Sequence, residues 1–205
     1  LVLDGVAAPD QVIPAGGRDG QAALDGLFAA CAKDAACNKA YPNLRAEFDA
    51  LVAKVEAGDV HLSLPNPRTA EPTEFTMSSQ RFLGTVHNVL YAPADARRLP
   101  FLIHSASRGR WEPFVARQNL AGDFGNDASM SMLLHFAVVC AEDVPRFTPE
   151  LMKLDAAVLA RPLAEMMPKL CKDDIKVPVV PYAEPTRIDA PALLLSGALD
   201  PVTPP

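Results

Sequence analysis

Two short apolar runs, one near each end of the chain, constrain the fold more than anything between them. Leu1 to Leu3 read as the end of a strand that turns at Asp4-Gly5. Ala190-Pro191-Ala192-Leu193-Leu194-Leu195-Ser196 reads as a buried strand that stops at Gly197. Short apolar runs bounded by turn residues are the pattern of strands covered on both faces. Nearly everything between them reads as helix. A sheet interrupted by a helical insertion fits that order, so the expected class is α/β.

The insertion can be read helix by helix. Asp19 is placed to cap a helix reaching Lys33, in which Leu24, Leu27, Phe28 and Cys31 share one face. A second helix spans 43–57 on the stripe Leu44, Phe48, Leu51, Val52 and Val55, with Gly58 as its stop. Val60 to Leu64 alternates, as Thr73 to Thr76 does more weakly, and the polar stretch between them makes a hairpin. Helices follow over 79–91, using Phe82, Leu83, Val86 and Leu90, and from Pro93 through Leu99, Leu102 and Ile103. Pro100 is set to bend that second helix or shift its start. Another helix covers 111–120, and Gly122 to Asp127 reads as a loop. Met130 to Cys140 is too uniformly apolar for periodicity to choose between helix and strand. Two short helical stretches, 149–160 and 162–170, precede an irregular proline-rich segment at 177–185. The 20 prolines among 205 residues follow no period and act as punctuation between short elements.

Composition removes several classes of function. With 49% hydrophobic residues the chain is not disordered. Its net charge of −6, with no basic cluster beyond Arg108 and Arg110, speaks against a nucleic-acid surface. Met132 to Ala141, the longest apolar stretch and broken by His135, falls well short of the roughly 18 residues of a membrane span. No residue spacing suggests a metal site, and no cofactor is implied. The four cysteines, Cys31, Cys37, Cys140 and Cys171, form no CxxC pair and allow three pairings. A Cys31–Cys37 bridge would tie a helix to its exit loop. Cys140 and Cys171 would then close a loop worth about 3–4 kcal/mol on the chain-entropy account. The alternative leaves all four reduced, as small buried apolar residues. The chain opens on Leu without a signal-peptide pattern and stops just after an apolar run, so it is expected to be part of a longer polypeptide.

The segment Pro191-Ala-Leu-Leu-Leu-Ser-Gly-Ala-Leu-Asp-Pro-Val-Thr-Pro-Pro is the most informative for chemistry. It carries an acid, Asp200, into a turn at the carboxyl end of a strand, which is where ligands bind in open α/β sheets. An acid there can orient a histidine and stabilise its imidazolium. Pro201 fixes the turn, and the Thr203 hydroxyl is placed to hold either the carboxylate or the loop. Asp-Pro is also a common turn pair, so the residues alone favour a purely structural role. This segment resembles the acid-bearing strand of α/β-hydrolases, in particular the tripeptidyl-aminopeptidase-like branch related to prolyl aminopeptidases. Leu3-Asp4-Gly5-Val6 resembles the segment leaving the strand that follows the nucleophile. Leu24 to Tyr41, with its two cysteines before Tyr41-Pro42, resembles the start of the cap. Val138-Val-Cys-Ala-Glu-Asp143 resembles the segment that brings cap residues over the active site. Together these span nearly the whole chain in family order.

The resemblance implies a fragment of an α/β-hydrolase fold, mostly its helical cap with flanking core strands. Residues 1–18 would be core, 19–186 cap, and 187–205 the core strand and acid loop. Asp200 would be the triad acid, with Thr203 behind it. Glu142, with Asp143 as runner-up, would hold the free amino group of a peptide. It also favours disulfides among the four cysteines, and hence export to the periplasm or cell exterior. None of the eight serines lies in a Gly-x-Ser-x-Gly elbow, and His61, His87, His104 and His135 all precede the acid. The fold's order is Ser, acid, His. The nucleophile is therefore expected before residue 1 and the histidine after residue 205, and these 205 residues alone are expected to be inactive. His61, His87 and His104 read as structural or solvated, and His135 as a satisfied core histidine. The substrate class is a peptide N-terminus or, alternatively, a small ester, and a non-catalytic helical binding module is the reading from another class. The sequence carries no signal for an oligomeric state. Strands lacking a complete sheet leave apolar surface and unpaired backbone exposed. The isolated 205 residues are thus expected to be poorly stable, and a cooperative melt at dilute concentration would count against this.

Overall fold

The computed structural model describes residues 1–66, 69–125, 131–154, 157–184, 187 and 189–205. In chain order the elements are β1 (Val2–Asp4), α1 (Gly17–Lys33), α2 (Ala35–Ala40), α3 (Leu44–Glu56), β2 (His61–Pro65) and β3 (Pro72–Thr76). Then come α4 (Ser79–Leu90), α5 (Pro93–Ala96), α6 (Leu99–Ser107), α7 (Glu112–Gly125), α8 (Met132–Glu142), α9 (Pro149–Leu154), α10 (Arg161–Asp173) and β4 (Leu193–Leu195). Short 3₁₀ turns cover Ile13–Ala15, Val144–Arg146 and Val158–Ala160. The fold is mixed α/β, rich in helix, with two small sheets. One is a parallel pair of β1 and β4, in the register Val2↔Leu193, Leu3↔Leu194 and Asp4↔Leu195. The other is the expected antiparallel hairpin of β2 and β3. The chain divides into two compact units, Leu1–Ala23 with Ala128–Pro205, and Leu24–Asp127.

The second unit is organised by aromatic rings. Phe28 meets Phe48 at 5.6 Å, Phe48 meets Phe82 at 5.8 Å, and Phe82 stacks on Phe114 at 5.0 Å. Trp111 lies edge-on to both Phe82 and Phe114. Offset and edge contacts of this kind add to what burial alone contributes. The five rings come from four helices or their starts, Trp111 and Phe114 both from the start of α7, so their sharing one core fixes the packing of α1, α3, α4 and α7. The α3 stripe Leu44, Phe48, Leu51, Val52 and Val55 is buried as its spacing requires. The polar side of α3 also holds: Glu47, in its first turn, pairs with His104 Nδ1 on α6 at 2.9 Å. Arg45 pairs with Asp25 and lies over the Phe28 ring. Ser78 caps α4 by accepting the Arg81 N–H.

In the first unit, α8 packs on α10 through Val139, Cys140 and Met167, with Phe136, Leu163, Leu170 and Ile175 around them. Cys140–Cys171 joins the two helices inside that cluster, and Cys31–Cys37 joins α1 to α2. Both are disulfides, and no described cysteine is free. The Val180 N–H donates to Ala141 O at 2.9 Å and ties the proline-rich segment to the end of α8.

Several local expectations are corrected. Asp19 does not cap α1. The helix starts at Gly17, because the 3₁₀ turn before it has already redirected the chain and Gly16 O takes the first helical N–H. The helix expected from Pro93 onward is two helices, since Pro100 lacks an N–H and fits only the first turn of α6. α7 runs on through Gly122 to Gly125, where a loop was expected, and residues 126–130 lie outside the described residues. Met132 to Glu142 is helix, started by the Ser131 hydroxyl accepting the Leu134 N–H. Of the stretch 149–160, α9 and one 3₁₀ turn are helical, and 155 and 156 lie outside the described residues. β4 is exposed rather than buried: Leu194 retains 70% of its accessible surface and Val2 on β1 retains 67%. Among the described residues this ribbon has only two strands.

Phe82 touches three other rings, so Phe82→Ala is expected to cost the second unit about 3–5 kcal/mol, read from urea melts. Burial lowers the His87 pKa from its ordinary 6.5. The unfolded chain then takes up a proton that the folded chain resists. Stability attributable to His87 is therefore complete above about pH 6.5 and lost as the pH falls below it. His87→Gln is expected to flatten this acid-side loss, and parallel melting curves for both proteins would refute it.

Candidate functional site

The region around Asp200 is built from the parallel ribbon outward. The β1–β4 ladder continues past the strands, with Gly5 N–H donating to Leu195 O at 2.9 Å. Gly5 has φ +56°, and a Cβ there would approach the Thr203 hydroxyl oxygen at 3.4 Å. The left-handed turn is what calls for a glycine here, since the Cβ contact by itself would be an ordinary one. After β4, a turn closes with the Asp200 N–H donating to Gly197 O at 3.0 Å. The chain then folds back so that the Ser196 hydroxyl donates to Thr203 O at 2.6 Å.

The Asp200 carboxylate sits inside this loop and organises it. Oδ1 accepts the N–H groups of Val202 and Thr203, both at 2.9 Å. Oδ2 accepts the Thr203 hydroxyl at 3.0 Å. Pro201, which is buried and has no N–H, is the residue stepped over. Burial pushes this carboxyl up, but the Thr203 and Val202 N–H groups and the Thr203 hydroxyl outweigh it. The pKa accordingly lies below its ordinary 3.8, and the group is a held carboxylate at neutral pH. Oδ2 has taken one donor and keeps acceptor capacity for another. Among the described residues, neither a histidine nor a serine side chain is bonded to it.

A cavity of about 310 Å³ opens beside this loop, beyond the carboxyl ends of β1 and β4. Val6, Asp10, Gln11, Asp19, Val202 and Thr203 are among the residues that wall it. Glu142 ends α8 with an exposed side chain, and its carbonyl accepts Arg146 Nε at 3.0 Å. Asp143 is only 7% exposed, and its carboxylate pairs with Arg146 Nη2 at 2.8 Å. A buried carboxylate needs such an answer to its charge, so this oxygen is engaged by the protein itself. Of the other histidines, His61 bonds Thr76 across the hairpin and His135 lies half-buried against Phe136.

Two residues at this site escaped the sequence reading. Arg146 reaches the backbone carbonyls of both Asp10 (3.2 Å) and Gln11 (3.0 Å) and lies 4.6 Å from the centre of the Tyr182 ring. Gln11 Nε2 donates to Val202 O at 3.0 Å. The only local signal for Arg146 is its place three and four residues after Asp143 and Glu142. Nothing near Gln11 in sequence announces a partner 191 residues away.

Among the described residues, no cluster of three His, Cys, Asp or Glu side chains is placed to hold a metal ion, and no helix is long and apolar enough to cross a membrane. A scan against protein-family models finds no match, and comparisons with curated proteins and with solved structures find none either.

Thr203→Val removes one donor from Asp200 while burial continues to oppose ionisation, so its pKa is expected to rise. The wild-type carboxylate contributes stability that is present above pH 3.8 and lost as the pH falls through its lower folded value. That contribution shrinks in the variant. Carbon-detected NMR titration of aspartate carboxyls reads the shift, and an unchanged midpoint would contradict it.

Proposed function

We propose that this chain belongs to an exported serine hydrolase of the α/β-hydrolase fold, in the tripeptidyl-aminopeptidase-like branch, that releases residues from peptide N-termini. One observation carries the reading: Asp200 lies just beyond the carboxyl end of a strand in a parallel pair, its carboxylate braced by three donors, with an acceptor position on Oδ2 left over. That is the geometry required of an acid that orients a histidine. The helices inserted between β1 and β4 suit a cap, and the cavity beside the loop suits a substrate.

On this reading a serine attacks the scissile carbonyl, a histidine takes its proton, and Asp200 holds that histidine and stabilises its imidazolium. The serine, the histidine and the oxyanion donors are supplied by polypeptide outside residues 1–205. Glu142, exposed at the end of α8, is the carboxylate available to a substrate's α-ammonium, a charge-assisted contact. Two disulfides suit an oxidising, extracytoplasmic compartment.

The deciding experiment is to read the encoding DNA on both sides of this stretch and assay the full-length product on fluorogenic peptides with free and blocked N-termini. A Gly-x-Ser-x-Gly elbow upstream, a histidine downstream and a requirement for a free N-terminus are expected. A stop codon after Pro205 with no elbow upstream would overturn the reading in favour of a non-catalytic module. In the active enzyme Asp200→Asn is expected to lower kcat by about 10³–10⁴-fold with the fold intact. Glu142→Gln is expected to raise KM for free peptides while leaving small esters unaffected. Unchanged peptide turnover in that variant would remove the amine-anchor role.

A further inference from the structure

We infer that Gln11 and Arg146 are positioning residues for the Asp200 carboxylate, acting through the single peptide group between Val202 and Thr203. The inference rests on the proposed role of Asp200 for its meaning in catalysis, but its geometry stands independently. The peptide group in question has two ends. Its N–H, that of Thr203, donates to Asp200 Oδ1 at 2.9 Å. Its carbonyl, that of Val202, accepts Gln11 Nε2 at 3.0 Å. A peptide that accepts at its oxygen is polarised and becomes a better donor at its nitrogen, because hydrogen bonds in a chain strengthen one another. Gln11 therefore both anchors the loop and sharpens the bond that holds the acid.

Gln11 is itself held in place. Its N–H donates to Ala8 O at 2.9 Å, closing the turn after β1. Its carbonyl and that of Asp10 are taken by the two ends of the Arg146 guanidinium, at 3.0 and 3.2 Å. The same guanidinium is fixed from behind by Glu142 O at 3.0 Å, by Asp143 Oδ1 at 2.8 Å and by the Tyr182 ring. A planar fork with five donors can meet all four of these oxygens at once, one more than a lysine ammonium has donors for. The end of α8 is thereby coupled to the acid loop through the segment that leaves β1.

The experiment uses the full-length chain with its aspartate carboxyl carbons labelled. Gln11→Met keeps the shape of the side chain and removes the donor. Arg146→Lys keeps the charge and removes the fork. The Asp200 titration midpoint is expected to move up in Gln11→Met and, by a smaller amount, in Arg146→Lys, with amide spectra otherwise unchanged. A purely structural role would lower the melting temperature and leave that midpoint in place. In the active enzyme, kcat is expected to fall about twofold to tenfold in Gln11→Met, with KM little changed. A midpoint that stays put in both folded variants would overturn the inference. If Gln11→Met fails to fold, Arg146→Lys carries the same test. A shifted midpoint in a chain that hydrolyses nothing would support the positioning and remove the hydrolase reading. An enzyme that loses activity with Asp200→Asn but is indifferent to Gln11→Met would do the reverse.

Discussion

The guanidinium of Arg146 is the contact on which the order of the first unit depends. It answers the buried charge of Asp143, closes the end of α8 through Glu142 O, and grips the carbonyls of Asp10 and Gln11. Asp143 could not be buried there cheaply without it, because an unanswered carboxylate in a protein interior costs more than a satisfied one contributes. Two consecutive carbonyls gripped by one rigid fork leave the turn after β1 little freedom. That turn in turn presents Gln11 to Val202. The position of the Asp200 loop is therefore set from three directions: by the β4 strand it leaves, by its own carboxylate bonds, and by a side chain from the far end of the sequence.

How much of this could be read in advance follows from how local each cause is. The α3 and α4 stripes were legible because burial of one helical face repeats at a short, fixed spacing, and Leu44 to Val55 keeps that spacing throughout. The hairpin was legible because alternation and a polar turn are also local. The Asp200–Thr203 contact lies within four residues and follows from Asx-turn chemistry that any Asp-Pro-x-Thr stretch can adopt. The identity of the Met132–Glu142 segment was not legible, since a run of apolar residues suits either periodicity; it is a helix that Ser131 caps and that packs on α10 through Val139 and Cys140. The length of α7 was not legible because the glycines at 122 and 125 read as a loop, whereas a glycine weakens a helix by only about 1 kcal/mol and the helix runs through Gly122 to Gly125. Gln11 and Arg146 were invisible because their partners are far away in the chain, and a polar side chain carries no mark of which distant carbonyl it will meet.

The parallel ribbon is where fold and proposed chemistry bear on each other. Parallel strands rich in Val and Leu occur where both faces are covered. Val2 on β1 and Leu194 on β4 are instead largely exposed, although the two strands pair in register. A two-stranded ribbon is marginal by itself, so the pairing of β1 with β4 draws its support from the loops at its carboxyl end: Gly5 N–H to Leu195 O, Ser196 to Thr203, and Gln11 to Val202. Those are also the contacts that surround the acid. The bonds that hold Asp200 thus double as the clamp that keeps the two strands together, and any cover laid on the ribbon faces would stiffen the acid loop without touching it. In parallel sheets such cover comes from helices packed on the faces, and Leu193, Leu194 and Leu195 of β4 are the apolar surface that helices of that kind would bury.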